Sequence, residues 1–181
     1  MIPHIIHDQR NGLEAVLYEM SRQRIDHFVI EEQPWQNIQP KLIINAAHKK
    51  VIMSAKERGD ELICVFEDDI MFPAQDGYDR FVSDIPDGFD LYLGGVYNAP
   101  HQSGRLRSFS GLHCYICHSR FYDKFLSVPS DVHIDNAVAA LEGDFIVRYP
   151  YIALQRPGLS RNSQMWVDYN VNLSKEDIYY S

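Results

Sequence analysis

Five consecutive apolar residues, Leu62-Ile63-Cys64-Val65-Phe66, run straight into three acids, Glu67-Asp68-Asp69. A run this short and this apolar, set off by Gly59-Asp60, predicts a strand covered on both faces, as in the middle of a layered α/β sheet. The acids fall where that strand leaves the core. Adjacent carboxylates repel one another unless a cation or a proton neutralises them. In extended chain Glu67 and Asp69 point the same way, so both can face one hard ion while Asp68 points elsewhere. Open α/β sheets bind ligands at the carboxyl ends of their strands. Acids there can also form a solvated turn or a helix cap. Pro73 and the apolar pair Ile70-Met71 argue against both, so the triplet reads as the floor of a site that holds a phosphorylated ligand through a divalent cation.

The preceding residues extend this pattern. Ile2–Ile6 is a first strand ending at His7-Asp8-Gln9-Arg10. Asn11 and Glu14 resemble a capping box ahead of an amphipathic helix with Leu13, Val16, Leu17 and Met20 at i, i+3, i+4 and i+7. Phe28-Val29-Ile30 is a second strand closing at Glu31-Glu32, and residues 34–40 form a loop carrying Trp35. A helix from Lys41 to Arg58 presents Ile44, Ala47, Val51 and Ala55 on one side, with Gly59 as its terminator. This β-α-β-α-β order predicts an α/β domain with a mostly parallel sheet flanked by helices.

After the acids, Phe89–Leu93 alternates as a strand, and Gly94-Gly95 permits close backbone approach. Residues 98–110 read either as a polar, mobile lid whose Arg105 and Arg107 could meet phosphate oxygens or as a disordered surface loop. Leu112–Cys117 is a strand, and Ser119 can cap a following helix. Asp135 and His133 open a helix with Ile134, Ala137, Val138 and Leu141 on one face. Phe145–Val147 and Tyr151–Leu154 are late strands. From Gln155 the chain turns polar. A single domain over residues 1–160 is expected, with residues 161–181 a tail that packs on it or forms a partner surface.

The chain has 181 residues, enough for one core without disulfides or metal staples. Its 17 Lys and Arg against 25 Asp and Glu give a net charge of −8, which disfavours nucleic acid as a partner. Three cysteines, Cys64, Cys114 and Cys117, read as reduced core thiols in a cytoplasmic setting. Apolar residues separate Cys114 from Cys117, and no second pair completes a zinc site. No apolar run is long enough for a transmembrane segment, and the amino terminus lacks the layout of a secretory signal.

Asn45-Ala46-Ala47-His48, the helix ending at Glu57-Arg58-Gly59, the apolar strand and Glu67-Asp68-Asp69 together resemble glycosyltransferase family 25. There a Ser-His helix leads through a glycine into a strand and a Glu-Asp-Asp triplet. The likeness continues weakly through Leu91–Gly94, Cys114–Cys117, Asp135 and Ala153–Gln155. Ala47 stands where the family usually has Ser, and the chain is shorter than many members. The resemblance implies a GT-A-like (Rossmann-like) fold and inverting transfer of a hexose from a nucleotide sugar, a UDP-sugar above all. The acceptor would be a glycan, lipid-linked or protein-linked hydroxyl, as in lipopolysaccharide biosynthesis. A GT-A fold places the nucleotide near His7, Asp8 and Arg10 and near Glu31.

The residues suit that chemistry. Asp69, helped by Glu67, would hold Mn2+ or Mg2+ against a diphosphate whose charge grows on bond cleavage. Asp68 could contact the ribose or complete the metal's shell. Asp135 is the candidate base for the acceptor hydroxyl, and His133 is an alternative base or ligand. His48 either bonds the donor or braces the acidic loop. A metal-dependent nucleotidyl- or phosphotransferase would use the same acids, and a non-catalytic sugar-binding domain is a third reading. The chain lacks both the G-x-x-x-x-G-K-[ST] loop and the G-x-G-x-x-G turn.

Overall fold

The computed structural model describes residues 1–33, 39–97, 104–160 and 163–180. In chain order the elements are β1 (Pro3–Asp8), α1 (Glu14–Arg22), β2 (Val29–Gln33), α2 (Pro40–Arg58), β3 (Leu62–Glu67), β4 (Ile70–Met71), α3 (Gly77–Ser83) and β5 (Leu91–Leu93). Then come β6 (Gly104–Leu106), β7 (Cys114–His118), α4 (Tyr122–Ser127), α5 (Ile134–Ala139), β8 (Phe145–Val147), β9 (Leu154–Gln155), β10 (Gly158–Ser160) and β11 (Met165–Val167).

Seven strands form one sheet in the order β2-β1-β3-β7-β5-β8-β6. Strand β3 lies near its centre, parallel to β1 and antiparallel to β7. Strands β5 and β8 run with β1, β2 and β3, whereas β7 and β6 oppose them. The sheet is therefore mostly parallel and flanked by helices, the α/β architecture that the βαβαβ pattern predicts.

The period-2 alternation of a strand sorts the core into two layers. Ile63 and Val65 of β3, Leu91 and Leu93 of β5 and Tyr115 and Cys117 of β7 pack toward α2, α4 and α5. Cys64 and Phe66, Tyr92, and Cys114 and Ile116 pack on the other face with Val16 and Met20 of α1 and Phe81 of α3. All three cysteines are free and buried.

Helix α2 ends at Gly59 in the left-handed conformation, at φ 75°, where glycine avoids the Cβ penalty. Gly95 answers to close packing instead: a Cβ there would lie 2.1 Å from the Ala153 carbonyl oxygen. The approach that Gly94-Gly95 allows is thus made by the segment leading into β9.

Five local expectations are corrected. Asn11 does not cap α1, whose N-cap is Leu13 with no side-chain cap bond; its amide instead donates to Asp68. Leu17 is 43% exposed while Glu19 is buried, so the inward stripe of α1 carries an acid. Glu19 accepts from the Phe72 amide at 2.9 Å and from Arg22 at 2.5 Å. Within the expected lid, residues 104–106 form the edge strand β6, Leu106 and Phe109 are buried, and Arg105 pairs with Asp144. Residues 98–103 of that lid, and 34–38 with Trp35, lie outside the described residues. Tyr151 makes only an isolated bridge, to Ile178, while β9 pairs with β4. The stretch after Gln155 is an antiparallel ribbon of β10 and β11 rather than a loop.

Beyond that ribbon the chain returns to the domain. Asn170 donates to the Gln155 carbonyl at 2.8 Å, Tyr149 to Asp177 at 2.7 Å and Tyr179 to Asp76 at 3.0 Å. Among the described residues no helix is long and apolar enough to cross a membrane.

Candidate active site

A cleft of about 630 Å³ opens at the carboxyl ends of β1 and β3. Asp8, Arg10, Glu67, Asp68, Asp69, His133 and Asp135 all line it, so residues far apart in sequence share one cavity. Lys41 and Arg156 add cationic groups to its wall.

Each acid of the triplet is tied to a different element. Glu67 ends β3 on the face of Val65 and meets α2. His48 Nε2 donates to Glu67 Oε1 at 3.1 Å, and the Tyr115 hydroxyl lies 3.0 Å from His48 Nδ1. A carboxylate can only accept, so a proton sits on Nε2. Burial pushes the Glu67 carboxyl up, but the His48 hydrogen bond and the nearby His48 and His113 rings outweigh it and hold the group below the usual carboxylate range.

Asp68 turns the other way, toward β1. Its Oδ2 accepts from His7 Nδ1 at 2.9 Å, from the Asp8 amide at 3.0 Å and from Asn11 at 3.2 Å. Burial raises its carboxyl, and these bonds only partly offset that. Asp68 thereby ties the end of β1 to the turn after β3.

Asp69 is the under-compensated member. Its Oδ2 accepts from Gln155 Nε2 at 2.5 Å, while Oδ1 is buried with no hydrogen-bond partner among the described residues. Burial first, then the Glu67 charge, lifts its carboxyl well above the usual range, against the Gln155 bond. The Tyr97 hydroxyl donates to Gln155 Oε1 at 2.8 Å. The Tyr97 ring is stacked between His113, at 5.1 Å, and Tyr169, at 4.6 Å.

Asp135 sits in the first turn of α5, facing the same cleft. Its Oδ2 accepts from the Gly111 amide at 3.2 Å and its Oδ1 from the Asn136 amide at 2.8 Å. The loop before α5 is held from below by Asn45 of α2, which donates to the carbonyls of Pro129 and Val132 at 3.0 Å each.

The sequence-predicted residues separate into three groups. Asp8, Arg10, Glu67, Asp68, Asp69 and Asp135 face the cleft. His7 and His48 lie behind it, 3% and 0% exposed, and hold Asp68 and Glu67 in place; of the two roles open to His48, the geometry is that of the brace. Glu31 is not part of the cleft: it pairs with His4 at 3.0 Å and with Lys50 at 3.6 Å, tying β2 to β1 and α2. Gln155, Tyr97, Asn11 and Asn45 were not singled out as site residues. Asn45, a polar residue among the apolar positions of α2, was the one readable signal.

Among the described residues no three His, Cys, Asp or Glu side chains converge as a ready metal cage. The donor set nonetheless fits a hard divalent ion, which is commonly held by one or two carboxylates with substrate phosphates and water completing its shell. The buried, unpartnered oxygen of Asp69 beside the Glu67 carboxylate is the feature a cation would satisfy.

No protein-family model matches this chain, and no curated protein matches it. Solved structures do. A197 from STIV is similar with a TM-score of 0.55 and 14% identity, covering 97% of each chain. A glycosyltransferase involved in the glycosylation of the major capsid of PBCV-1 also has a TM-score of 0.55 and 14% identity, over 91% of this chain and 97% of the other. A putative glucose-1-phosphate thymidylyltransferase from Bacillus anthracis, in complex with a sucrose, has a TM-score of 0.52 and 9% identity, over 82% and 86%. At these identities the likeness is one of fold. The chain has the α/β fold shared by this glycosyltransferase and this nucleotidyltransferase.

Proposed function

We propose that this chain is a divalent-metal-dependent glycosyltransferase that moves a hexose from a nucleotide sugar, a UDP-sugar in the first instance, to a hydroxyl of a glycan acceptor with inversion. The observation that carries the reading is the convergence of Glu67, Asp68 and Asp69 with Asp135 on one cleft that also holds Arg10, Lys41 and Arg156. Glycosyltransferase family 25, through the Glu-Asp-Asp stretch and its preceding helix, is the family that the sequence favours.

Asp69 and Glu67 are the residues that would hold Mn2+ or Mg2+. Such an ion, when bound, offsets the charge gathering on the departing diphosphate. Arg10, Lys41 and Arg156 supply further positive charge for phosphate oxygens. Asp68, fixed by His7 and Asn11, shapes the nucleotide side of the cleft. Asp135 takes the proton of the acceptor hydroxyl. The acceptor oxygen then forms a bond to the anomeric carbon as the bond from that carbon to the diphosphate breaks, and the nucleoside diphosphate leaves with the electron pair.

The shared fold also admits nucleotidyl transfer, so the test must separate the two. Thermal stability is measured with a panel of nucleotide sugars and nucleoside triphosphates, with and without Mn2+, on the parent and on Asp69→Ala. Metal-dependent stabilisation by a nucleotide sugar, lost in Asp69→Ala, supports the reading. Stabilisation only by a nucleoside triphosphate with a sugar 1-phosphate, or a mutant that responds like the parent, overturns it.

A further inference from the structure

Strands β10 and β11 stand apart from the main sheet as a two-stranded ribbon on the rim of the cleft. Their register sets Leu159 directly opposite Trp166, so both side chains leave the same face. Leu159 lines the cleft, and Trp166 is its cross-strand partner outside the lining. The two are 54% and 73% exposed. Inward of them Tyr169 also lines the cleft and stacks on Tyr97, whose hydroxyl bonds the Gln155 that holds Asp69. Tyr169 and Leu159 thus both line the cleft, and Trp166 stands exposed beside Leu159 on the neighbouring strand.

An exposed apolar patch continuous with a polar cleft marks a binding surface. Its size limits the occupant. One aromatic side chain offers at most about 250 Å², so Leu159 with Trp166 falls well short of the roughly 800 Å² per partner of a stable protein interface. A pyranose ring fits better, because one face is lined by C–H groups and its edge carries hydroxyls. Lying on Trp166 and Leu159, such a ring buries its apolar face and leaves its edge hydroxyls free to meet water or the polar cleft wall.

We propose that the β10–β11 ribbon is the acceptor subsite and takes a pyranose ring of a glycan, stacked on Trp166 against Leu159. This rests on the glycosyl-transfer reading of the cleft. An acceptor of two or more sugar units would span from Tyr169 to Trp166.

Saturation-transfer NMR on the full chain tests this with maltotetraose, chitotetraose and methyl β-D-galactopyranoside as probes. At least one probe should show transfer concentrated on the protons of one ring face. That signal should be lost at least tenfold in Trp166→Ala, reduced in Leu159→Ser and kept in Trp166→Phe. Equal signals in the parent and Trp166→Ala, or no signal from any probe, overturn the proposal. So does a dimer in sedimentation that Trp166→Ala dissociates while every sugar stays silent, which makes the ribbon a contact between copies. The Mn2+-dependent nucleotide-sugar shift of the parent is measured in parallel. Its absence beside a sugar signal on Trp166 removes the transfer reading and leaves a sugar-binding face, whereas its presence with silent sugars removes only the subsite.

Discussion

His48 Nε2 donates to Glu67 Oε1 across 3.1 Å, from a ring that is itself fully buried. This bond, with Tyr115 behind it at 3.0 Å, keeps the Glu67 carboxylate ionised and aimed at the cleft. His48→Ala leaves the Tyr115 hydroxyl and the Glu67 carboxylate without their partner. The expected loss of stability is about 2–4 kcal/mol. Half-saturating Mn2+ in the nucleotide-sugar thermal shift should rise at least tenfold, and His48→Gln, which restores a donor, should recover part of it. A His48→Ala protein with the parental Mn2+ response would reduce His48 to a packing residue.

Asp69 carries the opposite imbalance, because burial and the Glu67 charge lift its carboxyl well above the usual range. For an acid raised in the folded state, the folded protein holds the extra proton, so stability falls as pH rises from the ordinary carboxylate value through the raised one. Glu67, lowered in the folded state, works the other way: its contribution is present above the ordinary value and lost as pH falls through the lowered one. Asp69→Asn removes the stranded charge yet keeps an acceptor for Gln155. Relieving a buried unsatisfied group is expected to stabilise the metal-free protein at pH 7–8 by about 1–3 kcal/mol. The gain should shrink toward pH 5, and Mn2+ should no longer raise Tm. Melting curves from pH 5 to 8, with and without Mn2+, check this; a less stable Asp69→Asn at pH 8 would refute it.

The gathering of these carboxylates at one cleft was legible in the sequence because an apolar strand ending in three acids puts them together where the strand leaves the core. Their supports were less legible, for a physical reason. His48 and Asn45 lie on the helix before β3, and what a buried polar group bonds depends on tertiary placement, not on spacing. Gln155 is 86 residues from the Asp69 it contacts. The stripe of α1 misled because Glu19 occupies an inward position, neutralised by Arg22 and the Phe72 amide. The reversed β7 and the β10–β11 ribbon were hidden likewise, since strand direction is set by the connections and not by the run of side chains.

Asn45 offers a test of the Asp135 wall. Its amide holds the carbonyls of Pro129 and Val132, just before His133 and Asp135. Asn45→Ala should destabilise by about 2 kcal/mol and lower kcat about tenfold as Asp135, the proposed base, is displaced. The donor thermal shift should persist, because Glu67 and Asp69 hang from other elements. A parental kcat would separate the loop from the chemistry.

Gly95 and Gly88 form a controlled pair for the other wall. Gly88 sits at φ 67° with open space around its missing Cβ, so Gly88→Ala meets only backbone strain, about 1 kcal/mol. A Cβ on Gly95 would lie 2.1 Å from the Ala153 carbonyl oxygen, and backbone cannot yield as a flexible side chain does. The neighbouring Gly94 carbonyl accepts from the amides of Ile152 and Ala153 at 2.8 and 3.0 Å, so those bonds are disturbed too. Gly95→Ala should therefore cost about 2–4 kcal/mol. The displaced segment runs directly into Leu154 and Gln155, whose amide fixes Asp69. Gly95→Ala should consequently weaken the Mn2+ response, and Gly88→Ala should leave it intact. Equal effects of the two substitutions on Tm and on half-saturating Mn2+ would mean that the packing of Ala153 on Gly95 does not set the position of Asp69.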